Sequence, residues 1–196
     1  MKVVRKSSRA FLICFSCNVS ETSYAEGTMI IRAEKPEDQI GIRHINTEAF
    51  DTDAEVNLID ALRKRGIPLI SLVAEENGEL VGHILFSPVT LEADNCSVSM
   101  AGLAPMAVAP AFQKREIGSM LVEEGLRHCK KEGYDAVCVL GHPDYYPRFG
   151  FVPSVNYGIK SEFDVPAEVF MAKELREGAL AECNGIVKYH DLFNQV

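Results

Sequence analysis

The chain has 196 residues, of which 47% are hydrophobic and 24% charged, and its formal net charge is −8. This length and composition predict one globular domain with its own hydrophobic core. The acidic balance argues against nucleic acid as the main partner, because phosphate binding needs a basic surface. It is compatible with an amine-bearing substrate, although solubility explains an acidic surface equally well.

Residues 1–28 differ in composition from the rest of the chain. A basic start followed by an apolar run at 10–17 resembles a signal peptide, but the run is at the lower limit of length for one. It is far too short to span a bilayer, which needs about 20 apolar residues, so we expect no membrane partner. We expect 1–28 to be a disordered extension or a misplaced start and 29–196 to be the domain, with an exported, processed protein as the alternative.

Six cysteines are present, and apart from Cys14 and Cys17 they are scattered along the chain. This distribution indicates a reducing, cytoplasmic compartment and no disulfide framework. Cys129 and Cys138 fall inside apolar patterns, where a free cysteine behaves as a small hydrophobic residue. Cys14 and Cys17 have metal-ligand spacing, but no second pair completes a site, so we expect no metal.

The hydrophobic pattern predicts an α+β fold. The predicted elements, in chain order, are a strand at 29–33, helices at 36–50 and 52–65, strands at 69–75, 80–86 and 100–108, a long helix at 113–132, a strand at 135–140, a short helix at 143–148, and strands at 149–152, 169–175 and 186–189. Asn77-Gly78 is the strongest short hairpin pattern in the chain. The polar region 154–166 is predicted to be irregular, as a mobile loop beside the site. This order predicts one mixed sheet flanked by helices.

The start of the long helix carries two cations, Lys114 and Arg115, where the helix dipole is already positive. Each such placement normally costs about 0.3–1 kcal/mol. The conflict disappears if a polyanion binds there, because free backbone N–H groups and both cations then act on phosphate oxygens. Gly118 and Ser119 would let the backbone approach such a ligand closely. The alternative is a surface helix whose two cations point into water.

The stretch 106–119 resembles the strand-to-helix signature of the GNAT acyltransferases, Q/R-x-x-G-x-G/A, which binds the pyrophosphate of acetyl-CoA. Gln113 and Gly118 match its first and last positions, whereas Glu116 occupies the place of its first glycine. A carboxylate there would repel pyrophosphate unless it points away, or unless one of the two cations just before it neutralises it. The departure puts the affinity for acetyl-CoA in doubt and leaves the fold unaffected.

A second segment, 140–151, reads L-G-H-P-D-Y-Y-P-R-F-G-F. It resembles a GNAT subgroup of predicted N-acetyltransferases with the pattern G-H-P-x-Y-Y-x-R-F-G-F. The resemblance covers nearly all of 29–196 and none of 1–28. It implies the GNAT fold and transfer of an acetyl group from acetyl-CoA, as co-substrate, to a primary amine on a small molecule or a protein. A homodimer is left open.

The resemblance also implies roles for individual residues. The amine attacks the thioester directly, and backbone groups of the strand that ends at Val108 hold the pantetheine arm and stabilise the developing oxyanion. Tyr146, with Tyr145 as the second choice, protonates the leaving thiolate. The expected cofactor-binding residues are Met106, Ala107, Val108, Gln113, Lys114, Arg115, Glu116, Ile117, Gly118 and Ser119.

The general base and the acceptor pocket are less determined. His142 and Asp144 lie in the segment that follows the buried strand, and water is an alternative base. His83 lies in the middle of a strand, where a structural histidine is the simpler interpretation. Asp51 and Asp53 fall where this fold builds its acceptor pocket, although Asp53 also suits a helix cap. The alternative function is a GNAT-like module that binds an acyl-CoA weakly, or not at all, and works through protein contacts.

Overall fold

The computed structural model describes residues 29–50, 52–94 and 96–195. The expectations for residues 1–28 and for Asp51 fall outside this part of the chain. Within it there are three α-helices: α1 (Gln39–Phe50), α2 (Ala54–Lys64) and α3 (Ile117–Lys131). Nine strands are present in the same residues: β1 (Met29–Ala33), β2 (Ile70–Glu76), β3 (Glu79–Ala93), β4 (Met100–Val108), β5 (Ala136–Leu140), β6 (Val152–Pro153), β7 (Ile159–Ser161), β8 (Phe170–Glu174) and β9 (Gly185–Lys188). No helix in the described ranges is long and apolar enough to cross a bilayer.

The strands form one mixed sheet in the order β1-β2-β3-β4-β5-β8-β6, and β9 pairs with both β3 and β7. Neighbouring strands are antiparallel except for the parallel pairs β4–β5 and β7–β9. The hairpin predicted at Asn77-Gly78 is confirmed, since both residues have positive φ (54° and 85°) and connect β2 to β3. The predicted α+β fold with a mixed sheet flanked by helices is confirmed.

The two faces of the sheet pack into different hydrophobic cores, because side chains alternate along each strand. Val73 of β2 belongs to the core cluster that contains Ile59 of α2, whereas its neighbour Leu72 belongs to the cluster that contains Leu121 of α3. Because successive residues of a strand point to opposite faces, α1 and α2 cover one face and α3 covers the other. The start of α3 therefore lies on the opposite face from the α1–α2 connection.

Several of the predicted boundaries are wrong. β3 continues to Ala93, because its second half pairs with β9, and the polar residues on its exposed side concealed that half in the sequence. The segment 154–166 is not irregular throughout, since it contains a 3-10 helix at Ser154–Tyr157 and then β7. Ser154 Oγ donates to the carbonyl of Ile159 at 2.8 Å, which joins the start of the 3-10 helix to the start of β7. The strand predicted at 149–152 is reduced to β6, because the chain is still in a 3-10 helix at Phe149.

A disulfide bond joins Cys96, in the β3–β4 connection, to Cys183, which lies two residues before β9. The pairing of Ala93 with Gly185 brings the two cysteines together, with a Cα–Cα distance of 5.3 Å. The expectation that these cysteines stay unpaired is therefore wrong. The sequence gives no indication of the bond, because it depends on the missed second half of β3. Cys129 and Cys138 are free and buried, as their apolar surroundings predicted.

Candidate functional site

The sheet opens between β4 and β5. Their parallel pairing runs from Met100 to Leu103 on β4 and then stops. At that point β4 contains a bulge, since Ala104 and Pro105 together lie opposite one residue of β3. Beyond the bulge, no described strand pairs with β4 on its β5 side, although the residues up to Val108 are buried. Because buried backbone N–H and C=O groups need partners, this edge is suited to a ligand with amide groups of its own.

A loop with left-handed backbone geometry connects β4 to α3. Lys114 and Glu116 have φ values of 64° and 58°, a region that glycine enters far more readily than other residues. The predicted helix start at Gln113 is therefore wrong: α3 begins at Ile117, because the chain cannot be helical through two left-handed residues. Gln113 Nε2 donates to the carbonyl of Val108 at 3.2 Å and ties the loop to the end of β4.

The backbone of this loop presents several N–H groups together. None of the amides of Lys114, Glu116, Ile117, Gly118 and Ser119 donates to a described residue. Alternating right- and left-handed residues followed by a helix start form a concave set of donors that favours anions. The position that the GNAT signature gives to glycine is thus occupied by a residue that adopts the glycine conformation at the expense of some strain.

Two arginines near the loop pair with carboxylates of other segments. Arg115 donates to both carboxylate oxygens of Glu76, at 3.0 and 2.5 Å, and so is held at the end of β2. Lys114 is exposed and forms no ion pair within the described ranges. The cation that faces the Glu116 carboxylate is Arg148, at 3.8 Å. A cation that faces Glu116 therefore comes from the segment after β5.

Both candidate tyrosines lie beside this loop on the α3 face of the sheet. Tyr146 is completely buried against Phe151 and Gly141, where a Cβ would overlap its ring. Its hydroxyl has no hydrogen-bond partner in the described part of the chain. Burial raises the pKa of Tyr146 well above its usual value, so the phenol keeps its proton. An orphaned, protonated hydroxyl is available to a ligand that reaches it.

Tyr145 is only partly buried, and its ring lies 5.2 Å from that of Tyr146 at a right angle. Burial raises the pKa of Tyr145, and the neighbouring Ser119 hydroxyl and the charge of Arg148 partly offset this effect. Ser119 is in the first turn of α3, so Tyr145 connects the loop to the segment that follows β5. The structure thus brings together the two sequence segments that carried the resemblance.

His142 and Asp144 follow β5 and face solvent. The side chain of His142 is 44% exposed and that of Asp144 is 90% exposed. His142 Nδ1 accepts a hydrogen bond from the backbone N–H of Asp144 at 3.3 Å. Asp53 accepts a hydrogen bond from Thr47 at 2.8 Å and provides no side-chain cap to α2. His142 and Asp144 remain candidates for the base, and Asp53 remains a candidate for the acceptor pocket.

His83 is held inside a buried polar chain on the α1 face. The amide nitrogen of Asn46 donates to the carbonyl of Ile42 at 2.8 Å and lies 3.2 Å from His83 Nδ1. His83 Nδ1 is therefore the acceptor, and Nε2 carries the proton and donates to Ser71 Oγ at 3.0 Å. The Ser71 hydroxyl in turn donates to Glu34.

These hydrogen bonds leave His83 without a catalytic geometry. Burial, and to a smaller extent the charge of Arg63, lowers the pKa of His83 to about 3, so the ring is neutral. Ser71 gives its proton to a carboxylate, so the histidine does not activate it as a nucleophile. The structural interpretation of His83 is supported, and its partners Asn46 and Ser71 were not identified from the sequence.

A cavity of about 940 Å³ lies at the other end of the sheet, lined by Met100, Ser71, Arg63 and His128 among others. Met100 begins β4, so this cavity is about 25 Å from the loop after Val108, from the rise of eight residues in a strand. It contains none of the residues that carry the sequence signature. The candidate functional site is therefore the opening between β4 and β5.

Comparison with known proteins identifies the family of this chain. Residues 31–153 match the family model described as an acetyltransferase (GNAT) domain. The chain is 34% identical over 168 residues to the uncharacterized N-acetyltransferase YhbS of Escherichia coli K12, covering 85% of this chain and 99% of that protein. It is 37% identical over 134 residues to the uncharacterized N-acetyltransferase YjhQ of the same strain, covering 67% and 74%.

Two solved structures share both the fold and about a third of the sequence. A crystal structure of E. coli YhbS in complex with CoA has a TM-score of 0.82 at 32% identity and covers 89% of this chain and 96% of that one. A GNAT acetyltransferase from Brucella melitensis in complex with acetyl-CoA has a TM-score of 0.69 at 32% identity and covers 86% and 99%. The chain belongs to the GNAT acetyltransferase family.

Proposed function

We propose that this protein transfers an acetyl group from acetyl-CoA to a primary amine on a small molecule or a protein. The observation that carries the proposal is the loop before α3, whose unpartnered amides lie at the end of the opening between β4 and β5. The relatives solved with CoA and acetyl-CoA support the choice of co-substrate. The acidic balance of the chain suits an amine acceptor.

The residues present fit the co-substrate in three places. The amides of 116–119 and the Lys114 side chain would hold the pyrophosphate at the start of α3. The free edge of β4, from Met106 to Val108, would pair with the amides of the pantetheine arm as an added strand does. The hydroxyl of Tyr146 is the third element of fit, because it is buried without a partner.

The chemistry follows from these positions. Bound acetyl-CoA supplies a thioester whose carbon–sulfur bond breaks as the acceptor nitrogen forms the new carbon–nitrogen bond. Backbone N–H groups near Met106 and Ala107 stabilise the negative charge that develops on the carbonyl oxygen, an effect worth about 3 kcal/mol in enzymes. Tyr146 donates its proton to the departing thiolate. The proton lost by the amine passes to water or to His142 or Asp144.

Glu116 supports a second candidate function. Its carboxylate lies in the anion-binding loop, which would weaken acyl-CoA binding in a protein that acts through protein contacts. The two functions differ in a measurable way, because a transferase must bind acetyl-CoA and release a free thiol when an amine is added.

Calorimetric titration with acetyl-CoA tests the proposal. We expect binding, and at 100 times the dissociation constant a stabilisation of about 2.7 kcal/mol, which raises the melting temperature by about 5–11 °C. A panel of small amines and lysine-containing peptides should then release CoA thiol from at least one reaction. Absence of binding at millimolar acetyl-CoA would overturn the proposal, and binding without thiol release would favour the second candidate function.

A further inference from the structure

The side chains that can act on phosphates at the start of α3 are fewer than its sequence indicates. Arg115 is committed to Glu76 through two hydrogen bonds, 39 residues away in sequence. Lys114 remains, on a left-handed residue of an exposed loop. A lysine offers a diphosphate a single point charge and no fork of donors.

Arg148 supplies a second cation from another part of the chain. It lies in the 3-10 helix after β5, and its guanidinium stacks 4.7 Å above the ring of Tyr145. It is about half exposed and makes no hydrogen bond to a described residue. Its Nη1 is 3.8 Å from the carboxylate of Glu116, too far for a hydrogen bond. The guanidinium is therefore fixed over the loop by stacking, with its donors still available.

Glu116 competes for the groups that a phosphate needs. Its carboxylate accepts a hydrogen bond from the Ser119 hydroxyl at 2.6 Å and faces Arg148. Ser119 is in the first turn of α3, where a phosphate oxygen would also bind. A carboxylate and a phosphate oxygen carry the same sign of charge, so the two cannot occupy the same partners without repulsion.

We propose that Arg148 binds the diphosphate of an acyl-CoA and that the Glu116 carboxylate is an internal competitor that this diphosphate displaces from Ser119 and Arg148. The inference rests on the proposed function and adds to it a residue outside the β4–α3 signature. It also assigns a purpose to the acidic residue at a glycine position: Glu116 limits the affinity for the co-substrate, and so for the CoA product that must leave.

Titration calorimetry with CoA, 3′-dephospho-CoA and pantetheine tests this assignment. Arg148→Gln is expected to weaken binding of both CoA and 3′-dephospho-CoA by about tenfold or more, as for a lost charge-assisted hydrogen bond, and to leave pantetheine binding unchanged. Arg127→Gln is the matched control, because it removes an exposed arginine of α3 about 15 Å from the loop. Glu116→Gln, which keeps the side-chain size, should tighten CoA binding several-fold and should do so less in an Arg148→Gln background.

The outcomes separate this inference from the proposed function. If the wild type binds no CoA, the proposed function fails and the inference with it. If the wild type binds CoA and Arg148→Gln binds it equally well, only the inference is overturned. A loss seen with CoA but not with 3′-dephospho-CoA would also overturn it, since Arg148 would then recognise the 3′-phosphate. Melting curves of all variants exclude unfolding as the cause, and the Glu116→Gln result stands without the arginine variant.

Discussion

Replacing His83 tests whether the buried polar chain between α1 and the sheet sets the stability of the fold near neutral pH. The His83 side chain has no exposed surface, and its pKa is lowered to about 3, against about 6.5 in an unfolded chain. The folded state therefore binds fewer protons than the unfolded state. This contribution is fully present above pH 6.5 and is lost as the pH falls from 6.5 toward 3. Between pH 7 and pH 5 the loss amounts to about 2 kcal/mol.

Urea unfolding of the wild type and His83→Gln at pH 7 and pH 5 measures the effect. His83→Gln should be less stable at pH 7, because an amide does not reproduce both hydrogen bonds, and should lose about 2 kcal/mol less than the wild type between the two pH values. His44→Gln, at an exposed position of α1, is the control and should follow the wild type. Asp38 and Glu124 have lowered pKa values, and their contributions are lost only below about pH 5. Equal pH dependence in the wild type and His83→Gln would refute the reasoning.

Three further predictions concern the site and the disulfide. Gly118→Glu should abolish acetyl-CoA binding in calorimetry, because it adds bulk and negative charge at the start of α3; retained binding would mean that the loop is not the phosphate site. Tyr146→Phe should lower thiol release while acetyl-CoA affinity is kept and stability rises by up to about 1 kcal/mol, since it removes an orphaned buried hydroxyl; unchanged turnover would exclude the acid role. Reducing the Cys96–Cys183 bond, which closes a loop of 87 residues, should lower the free energy of unfolding by about 4 kcal/mol in guanidinium, whereas Cys96→Ser should show no response to reductant.

The sequence was most informative where local pattern and final environment agree. β4 and β5 are continuous apolar runs that are buried on both faces, and Asn77-Gly78 has the backbone that its turn requires. The second half of β3 was missed because only one of its sides is covered, so its pattern is that of a polar connection. A strand that is buried on both faces can therefore be recognised from its composition, whereas the pairing of a strand with a distant strand is hard to recognise.

The candidate site likewise has some features that the sequence indicated and others that it did not. Gln113 and Gly118 indicated the loop as the candidate site, but no glycine in the sequence predicted the left-handed conformation of Lys114. The pairing of Arg115 with Glu76, and the approach of Arg148 to Glu116, join residues that are more than 30 positions apart. Such contacts depend on how strands are ordered in the sheet, which single residues do not encode. For this reason the sequence indicated the loop as the candidate site but not the partners of its charged residues.

The bulge in β4 also changes which residues of the strand face α3. Before it, the odd-numbered residues Ala101 and Leu103 contribute to the core under α3, and after it the even-numbered residues Met106 and Val108 do so. The extra residue thus decides which side chains downstream face α3 and which face α1. Straightening the strand with all of its residues kept would exchange the two sets, whereas deleting one residue at the bulge would leave both sets on their present faces. With all residues of β4 present, the side chains in its second half reach their cores only when the extra residue is accommodated in the bulge. Every buried side chain after the bulge therefore favours the bulge over a regular strand.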